Sequence, residues 1–261
     1  MLKTENITYR IGKQTILNNV SADFLPGECN MILGPNGSGK SSFLKIFSGE
    51  INDFTGSVFY GNDNVKTIKK EALARRRAVM SQQPELSFPL TVEEVVMMGR
   101  YPHFKFDPNK KDVEICRQSI EQMNLSAFRE RNYLTLSGGE KQRAHYARVL
   151  AQIWEQPQDG VRYLFLDEPL ASLDINYQQE FLKISKQFAG KHTVLIIVIH
   201  DINLAIQYAD KLFFLKNGAL VVHGKTNDIV STALLEDVFD VKASVVSNPL
   251  TGSPLVIYHN S

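Results

Sequence analysis

Three short apolar runs, each followed at once by polar or glycine-rich residues, punctuate this chain at 29–33, 163–166 and 194–199. Such runs predict strands of a parallel sheet covered on both faces. Each leads into sequence of helical character, at 39–49, 174–189 and 201–208. Repetition of strand, loop and helix predicts an α/β fold whose ligands lie outside the carboxyl ends of the strands. Near the start, 2–9 and 16–24 read as antiparallel strands. Asn217-Gly218, between apolar runs at 211–216 and 219–223, predicts a tight hairpin.

A different pattern occupies the middle. A short strand at 78–80 gives way at about 84 to helical periodicity, clearest over 112–123. Thr91-Val-Glu-Glu94 and Ser137-Gly-Gly-Glu140 both fit S/T-x-x-E, the box in which a hydroxyl and a carboxylate reciprocally cap a helix start. These features predict a helical lobe at about 84–160 inserted into a core at about 1–83 and 161–240, all one domain, with a tail at about 241–261. The turn residues of 157–160 would return the chain to the sheet.

Composition adds exclusions. Hydrophobic residues make up 43% and charged residues 22%, ordinary for a globular protein. A formal net charge of +1 offers no basic field for nucleic acid, so none is expected as a partner. Arg75, Arg76 and Arg77 form the densest charge run, expected to be a solvated face. Cys29 and Cys116 have neither metal nor disulfide spacing, which fits a reducing compartment. The first residues carry no apolar segment of a signal peptide, and 194–199 is far too short to span a bilayer. Any membrane role must come through a partner.

The candidate chemistry begins at Gly34, Pro35, Asn36, Gly37, Ser38, Gly39, Lys40 and Ser41, which fit G-x-x-x-x-G-K-[ST] directly between a predicted strand and helix. Its glycines let backbone N–H groups approach phosphates, and the helix start adds a favourable dipole. Lys40 would reach the β- and γ-phosphates, the Ser41 hydroxyl would meet Mg²⁺, and Ser42 would donate to the α-phosphate. Alone, this loop leaves GTPases, kinases and many ATPases open. At the end of the run 163–166 stand Asp167 and Glu168. Adjacent acids there can simply begin a helix. After a phosphate loop they suit metal binding by Asp167 and general-base work by Glu168. Leu136-Ser137-Gly138-Gly139-Glu140 is a second helix start with exposed amides, redundant within a subunit that already holds its nucleotide. In a head-to-tail dimer it would cap the γ-phosphate bound to the other copy.

With both motifs in this order, the chain resembles the ATPase subunits of ABC transporters. The likeness runs from Leu2 to about Phe239, and the segment beyond carries none of the family's motifs. The resemblance implies a P-loop NTPase core, a parallel sheet with helices on both faces plus an antiparallel β subdomain, interrupted by an α-helical subdomain. It implies ATP and Mg²⁺ as cofactors, and ATP hydrolysis coupled to transport. It gives His200 a γ-phosphate contact that also orients Glu168 and water; a lone histidine at a strand end is otherwise structural. Gln82 would touch Mg²⁺ and the attacking water, although Gln83 is adjacent and a polar linker is the plain reading. Tyr9 would stack on adenine, or serve only in the core. Ala171-Ser-Leu-Asp174 resembles the loop that crosses the dimer interface, with Leu170 where the family more often has Thr. The implied partners are a second copy, polytopic permease subunits and, indirectly, a periplasmic substrate-binding protein, at the cytoplasmic face of a bacterial inner membrane. The segment 91–103, ending Gly-Arg-Tyr-Pro-His, is similar to the coupling region of iron-siderophore, haem and cobalamin importers. The stretch 148–160 looks most like haem import ATPases. A P-loop kinase or a soluble ABC protein would be the other classes.

Overall fold

The computed structural model describes residues 1–81, 86–156 and 160–259. Strands β1 (Leu2–Ile11) and β2 (Gln14–Phe24) pair antiparallel. Strand β3 (Cys29–Leu33) leads through the glycine loop into α1 (Lys40–Phe47). Two further strands, β4 (Thr55–Tyr60) and the two-residue β5 (Asp63–Asn64), complete an antiparallel sheet of order β2-β1-β4-β5. Helix α2 (Lys70–Arg76) then runs straight into β6 (Arg77–Met80). The helical lobe follows, with α3 (Val92–Met97), α4 (Lys110–Gln122) and α5 (Gly138–Gln152). The chain returns through β7 (Arg162–Asp167), α6 (Ile175–Ala189), β8 (Thr193–Val198) and α7 (Ile202–Tyr208). It closes with β9 (Lys211–Lys216), β10 (Ala219–Lys225), α8 (Thr226–Ile229), α9 (Thr232–Phe239), β11 (Ala243–Ser247) and β12 (Pro254–Tyr258).

The second sheet has order β10-β9-β3-β8-β7-β6, parallel except for the edge hairpin strand β10. Its central strands are largely apolar because alternate side chains enter two different cores. Met31, Leu164, Leu166, Leu195 and Ile197 face the core shared with α5, α6 and α7. Ile32, Phe165, Val194, Ile196 and Val198 face the one shared with α1 and the antiparallel sheet. The predicted strands, helices and Asn217-Gly218 hairpin fall on these elements, with both turn residues at positive φ. Strands β4 and β5, helices α2, α8 and α9 and the terminal hairpin of β11 and β12 were not among the elements expected from the sequence.

Both predicted capping boxes form. Thr91 and Ser137 accept from the amides of Glu94 and Glu140, whose carboxylates accept in return. The periodicity at 112–123 belongs to α4, whose start lies earlier because Asn109 and Asp112 make a third such box. The arginine run is not merely a solvated face. Arg75 Nε donates to Pro102 O at 2.6 Å, and Arg76 pairs with Asp63 at 2.8 Å.

Buried guanidinium groups fasten the lobe at its two ends. Arg100, 1% exposed, donates to Asp112 Oδ1 (2.9 Å), Ala151 O (2.8 Å) and Glu155 Oε2 (2.7 Å), tying the segment after α3 to α4 and α5. Neighbouring Gly99 permits that approach, since a Cβ there would lie 2.2 Å from Arg148 O. At the exit, Arg162 donates to Ile153 O, Trp154 O and Phe188 O, taking up carbonyls beyond α5 and near the end of α6. Removing one partner of a buried pair leaves the other desolvated and uncompensated. Arg100→Met should therefore lower the unfolding free energy by about 3 kcal/mol. Arg117→Met, which breaks only exposed pairs with Glu114 and Glu121, should leave the midpoint of the same urea titration close to that of wild type.

Candidate functional site

The carboxyl ends of β3, β7 and β8 lie side by side, because β3 pairs with β8 and β8 with β7 in parallel register. Everything the sequence marks as chemistry on the core side leaves from that edge. The loop after β3 must be glycine at two points for want of space: a Cβ at Gly34 would sit 2.0 Å from Leu215 O, and one at Gly39 would sit 2.9 Å from Ile16 O. Gly37 meets nothing, and its φ of 76° is what favours glycine. The result is a concave loop wrapped onto the start of α1. Lys40, 5% exposed, folds back across it and donates to Gly34 O (2.9 Å) and Pro35 O (3.0 Å). Burial lowers its pKa, opposed by the carboxylates of Glu168 and Asp167. Asn36 is exposed, Ser38 is buried, and Ser41 and Ser42 are half-buried in the first turn of α1.

Asp167 ends β7, 5% exposed, and accepts from Ser41 Oγ at 3.1 Å. Burial raises its pKa, the Ser41 hydrogen bond opposes that, and Glu168 adds to it. A hydroxyl and a carboxylate brought together at a phosphate loop are hard oxygen donors that fit Mg²⁺. Glu168 turns away with φ 49°, a left-handed conformation uncommon for such a residue. Its N–H donates to Val198 O at 3.1 Å, and its Oε1 lies 2.6 Å from His200 Nε2. The register that places Asp167 opposite Val198 brings the acid and the histidine together across adjacent strand ends.

The second helix start stands in the lobe. Ser137, the N-cap of α5, and Gly138 are exposed. Ser172 and Leu173 pack against the two glycines, and Gln142 Nε2 donates to Pro169 O. Arg143 lies 4.2 Å from the centre of the Tyr177 ring. Asp174 caps α6 by accepting from Tyr177 N at 3.0 Å. Asp167, Glu168, Gly138, Gln142 and Ser172 border one cleft of about 860 Å³. Tyr9 lies on β1 opposite Leu17, whose side chain abuts Gly39, so its strand flanks the loop. Gln82 lies outside the described residues.

The structure thus brings Lys40, Ser41, Asp167, Glu168 and His200 into one neighbourhood, and Ser137, Gly138, Gly139 and Asp174 into another. Sequence reasoning missed the Gln142–Pro169 and Arg143–Tyr177 contacts that join helix α5 to the segment after Glu168. Their side chains follow the diglycine at helical spacing, but nothing local names their partners. The left-handed turn at Glu168 had no signal either, since no glycine marks it.

The model of the ABC transporter family matches residues 17–171. The chain is 42% identical to the hemin import ATP-binding protein of Gloeobacter violaceus, over 98% of this chain and 94% of that protein. It is 38% identical to the one of Mesorhizobium japonicum, over 100% of this chain and 99% of the relative.

The chain belongs to the ABC transporter family.

Its fold superposes with TM-score 0.81 on a metal-chelate type ABC transporter in an inward-facing conformation, at 23% identity, covering 99% of this chain and 96% of that one. A dimeric bacterial ABC transporter cassette gives 0.72 at 26% identity, over 87% and 99%. As an ABC ATPase subunit the chain binds and hydrolyses ATP. Among the described residues no helix is long and apolar enough to cross a membrane.

The burial of Asp167 bears on stability. Because burial raises its pKa above the unfolded value, the native state binds protons more tightly there, and stability falls as pH rises through that window. Asp167→Asn should therefore stabilise the nucleotide-free protein at neutral pH by about 0.5–2 kcal/mol. The gain should fade as pH drops below the ordinary carboxylate range. Thermal melts of both proteins across pH would show a gain constant with pH if the carboxylate's charge is not the cause.

Proposed function

We propose that this chain is the ATP-hydrolysing subunit that powers haem import through a membrane permease, by closure of two copies around ATP. The contact of Glu168 with His200, beside Lys40, Ser41 and Asp167, is the observation that carries the hydrolytic part. Full-length similarity to proteins named for hemin import supports the cargo.

In this reading Gly34, Pro35, Asn36, Gly37, Ser38 and Gly39 wrap the phosphates, Ser42 donates to the α-phosphate, and Tyr9 stacks on adenine. Lys40 exchanges its two loop carbonyls for β- and γ-phosphate oxygens. Ser41 and Asp167, with Gln82, hold Mg²⁺, which screens the phosphate charge when bound. Glu168 takes the proton of the attacking water as its oxygen bonds to the γ-phosphorus, and the bond to the β-phosphate bridging oxygen breaks. His200 holds Glu168 in place and donates to the γ-phosphate. Ser137, Gly138 and Gly139 of the second copy cap that phosphate, and Asp174 sets the interface loop.

The core is 1–83 with 161–240, the helical lobe is 84–160, and the tail is 241–261. The lobe's 86–104 face meets the permease, where Phe88 is 70% and Tyr101 59% exposed while Arg100 pins the segment from beneath. A periplasmic haem-binding protein delivers cargo from the other side, and this subunit sits peripherally on the cytoplasmic face of the inner membrane.

Reconstituted with its permease in proteoliposomes, the chain should drive ATP-dependent haem uptake. Uptake of a ferric siderophore or cobalamin instead would overturn the cargo and leave the ATPase role intact. Glu168→Gln should retain ATP binding and lose turnover by about 10²–10⁴, the usual contribution of a general base. Turnover near wild type would remove Glu168 from that role.

The composite site makes a separate demand. In mixed dimers pairing a Ser137→Arg subunit with a Lys40→Ala subunit, the two lesions fall in one site, and the other site keeps its own lysine and a wild-type serine. Such dimers should retain roughly half the activity of wild type if sites act independently. Both sites should be lost if serine and lysine serve the same subunit's nucleotide.

A further inference from the structure

The terminal hairpin of β11 and β12 carries none of the motifs, yet it is fastened to the helix that follows His200. Asn203 Nδ2 donates to Val256 O at 3.1 Å, and Val256 N donates to Asn203 Oδ1 at 2.9 Å. A side-chain amide thereby takes the place of a neighbouring strand, satisfying both backbone groups of one residue on the free edge of β12. The hairpin is itself anchored: Val256 and Ala243 are buried in the larger core, and Val245 N donates to Thr232 Oγ1 at 3.2 Å. Residue 203 is the second of α7, a seven-residue helix whose N-cap, Asp201, accepts from Leu204 N. His200 immediately precedes that cap. On its inner side α7 is held by Ile202, Ala205, Ile206 and Tyr208. So short a helix has little stability of its own, and packing fixes its position. Apolar contacts resist separation from the core and are weakly directional, whereas two antiparallel hydrogen bonds at the first turn fix position along and across the helix.

We infer that Asn203 is a positioning residue, through which the terminal hairpin holds α7 and thereby keeps His200 against Glu168. This rests on the reading of His200 given above. The 2.6 Å contact is made by a histidine whose side chain is 48% exposed, so little else crowds it into place. Displacement of catalytic groups by about 1 Å can cost about 10²-fold in rate.

Asn203→Leu removes both hydrogen bonds, whereas Asn203→Asp keeps the acceptor for Val256 N and replaces the donor by an oxygen facing Val256 O, so the second tests the idea should the first fail to fold. In the full-length chain, Asn203→Leu should lower kcat about 5–20-fold, a partial loss of the positioning effect, with KM and ATP affinity within about twofold. Asn203→Asp should fall between it and wild type. In single-turnover measurements on a His200→Ala background, either substitution should change the rate by less than about twofold, because the group being positioned is gone. An undiminished additive loss in that background would overturn the inference while sparing the role of His200. Wild-type kcat in both Asn203 variants would do the same. Wild-type turnover in His200→Ala itself would overturn both readings.

Discussion

The parallel pairing of β3, β8 and β7 is the constraint on which the site depends. Its register fixes the heights at which three strands end, and so the separations between phosphate loop, histidine and acids. None of these groups is adjacent in sequence: Ser41 and Asp167, 126 positions apart, meet through a hydrogen bond because their strands share one edge. A slip of one residue in β7 would turn its side chains to the opposite faces and move Asp167 off the hydroxyl. The two-sided burial of the central strands therefore secures the chemistry as well as the fold.

Much of this was legible because it was local. Uninterrupted apolar runs have few interpretations when bounded by turns, and the phosphate loop, the acid pair and the diglycine helix start lie in consecutive residues. The two S/T-x-x-E capping boxes are each visible in four letters and form as read. What escaped detection is non-local or weakly patterned. Strand β4 begins Thr-Gly-Ser, and the Cβ that Gly56 lacks would press within 2.4 Å of Glu5 O, so the same glycine that weakens the strand signal lets it pair with β1. The arginine run looked like a solvated face because charge alone does not reveal that Pro102 O and Asp63 await two of its members. The terminal hairpin has alternating character over only a few residues, and its partner, Asn203, is an ordinary polar side chain until β12 is placed beside it.

The site is also where the protein departs from what stability alone would favour. Asp167 is a carboxylate kept where burial raises its pKa, and Lys40 an ammonium kept where burial lowers its pKa. Each moderates the other, and the nearby Glu168 favours the charged lysine while disfavouring the charged aspartate. Glu168 adds a left-handed backbone, of order 1–3 kcal/mol for a residue of its type. A phosphate-bearing ligand with its cation would complement such an arrangement, its binding offsetting the desolvation and the opposition of charges together.

The contacts between the lobe and the core bear on how a site would be shared between two copies. Helix α5 begins at the exposed Ser137 and Gly138, where a phosphate held by another copy would be capped. One turn further, Gln142 donates to Pro169 O, the residue after Glu168, and Arg143 lies over Tyr177 at the start of α6. These contacts join the helix start to the backbone on either side of the 170–174 loop, and to the immediate neighbour of Glu168. In the proposed dimer, the contacts of Gln142 and Arg143 are the links within each subunit that lead from the helix start to the segment after Glu168.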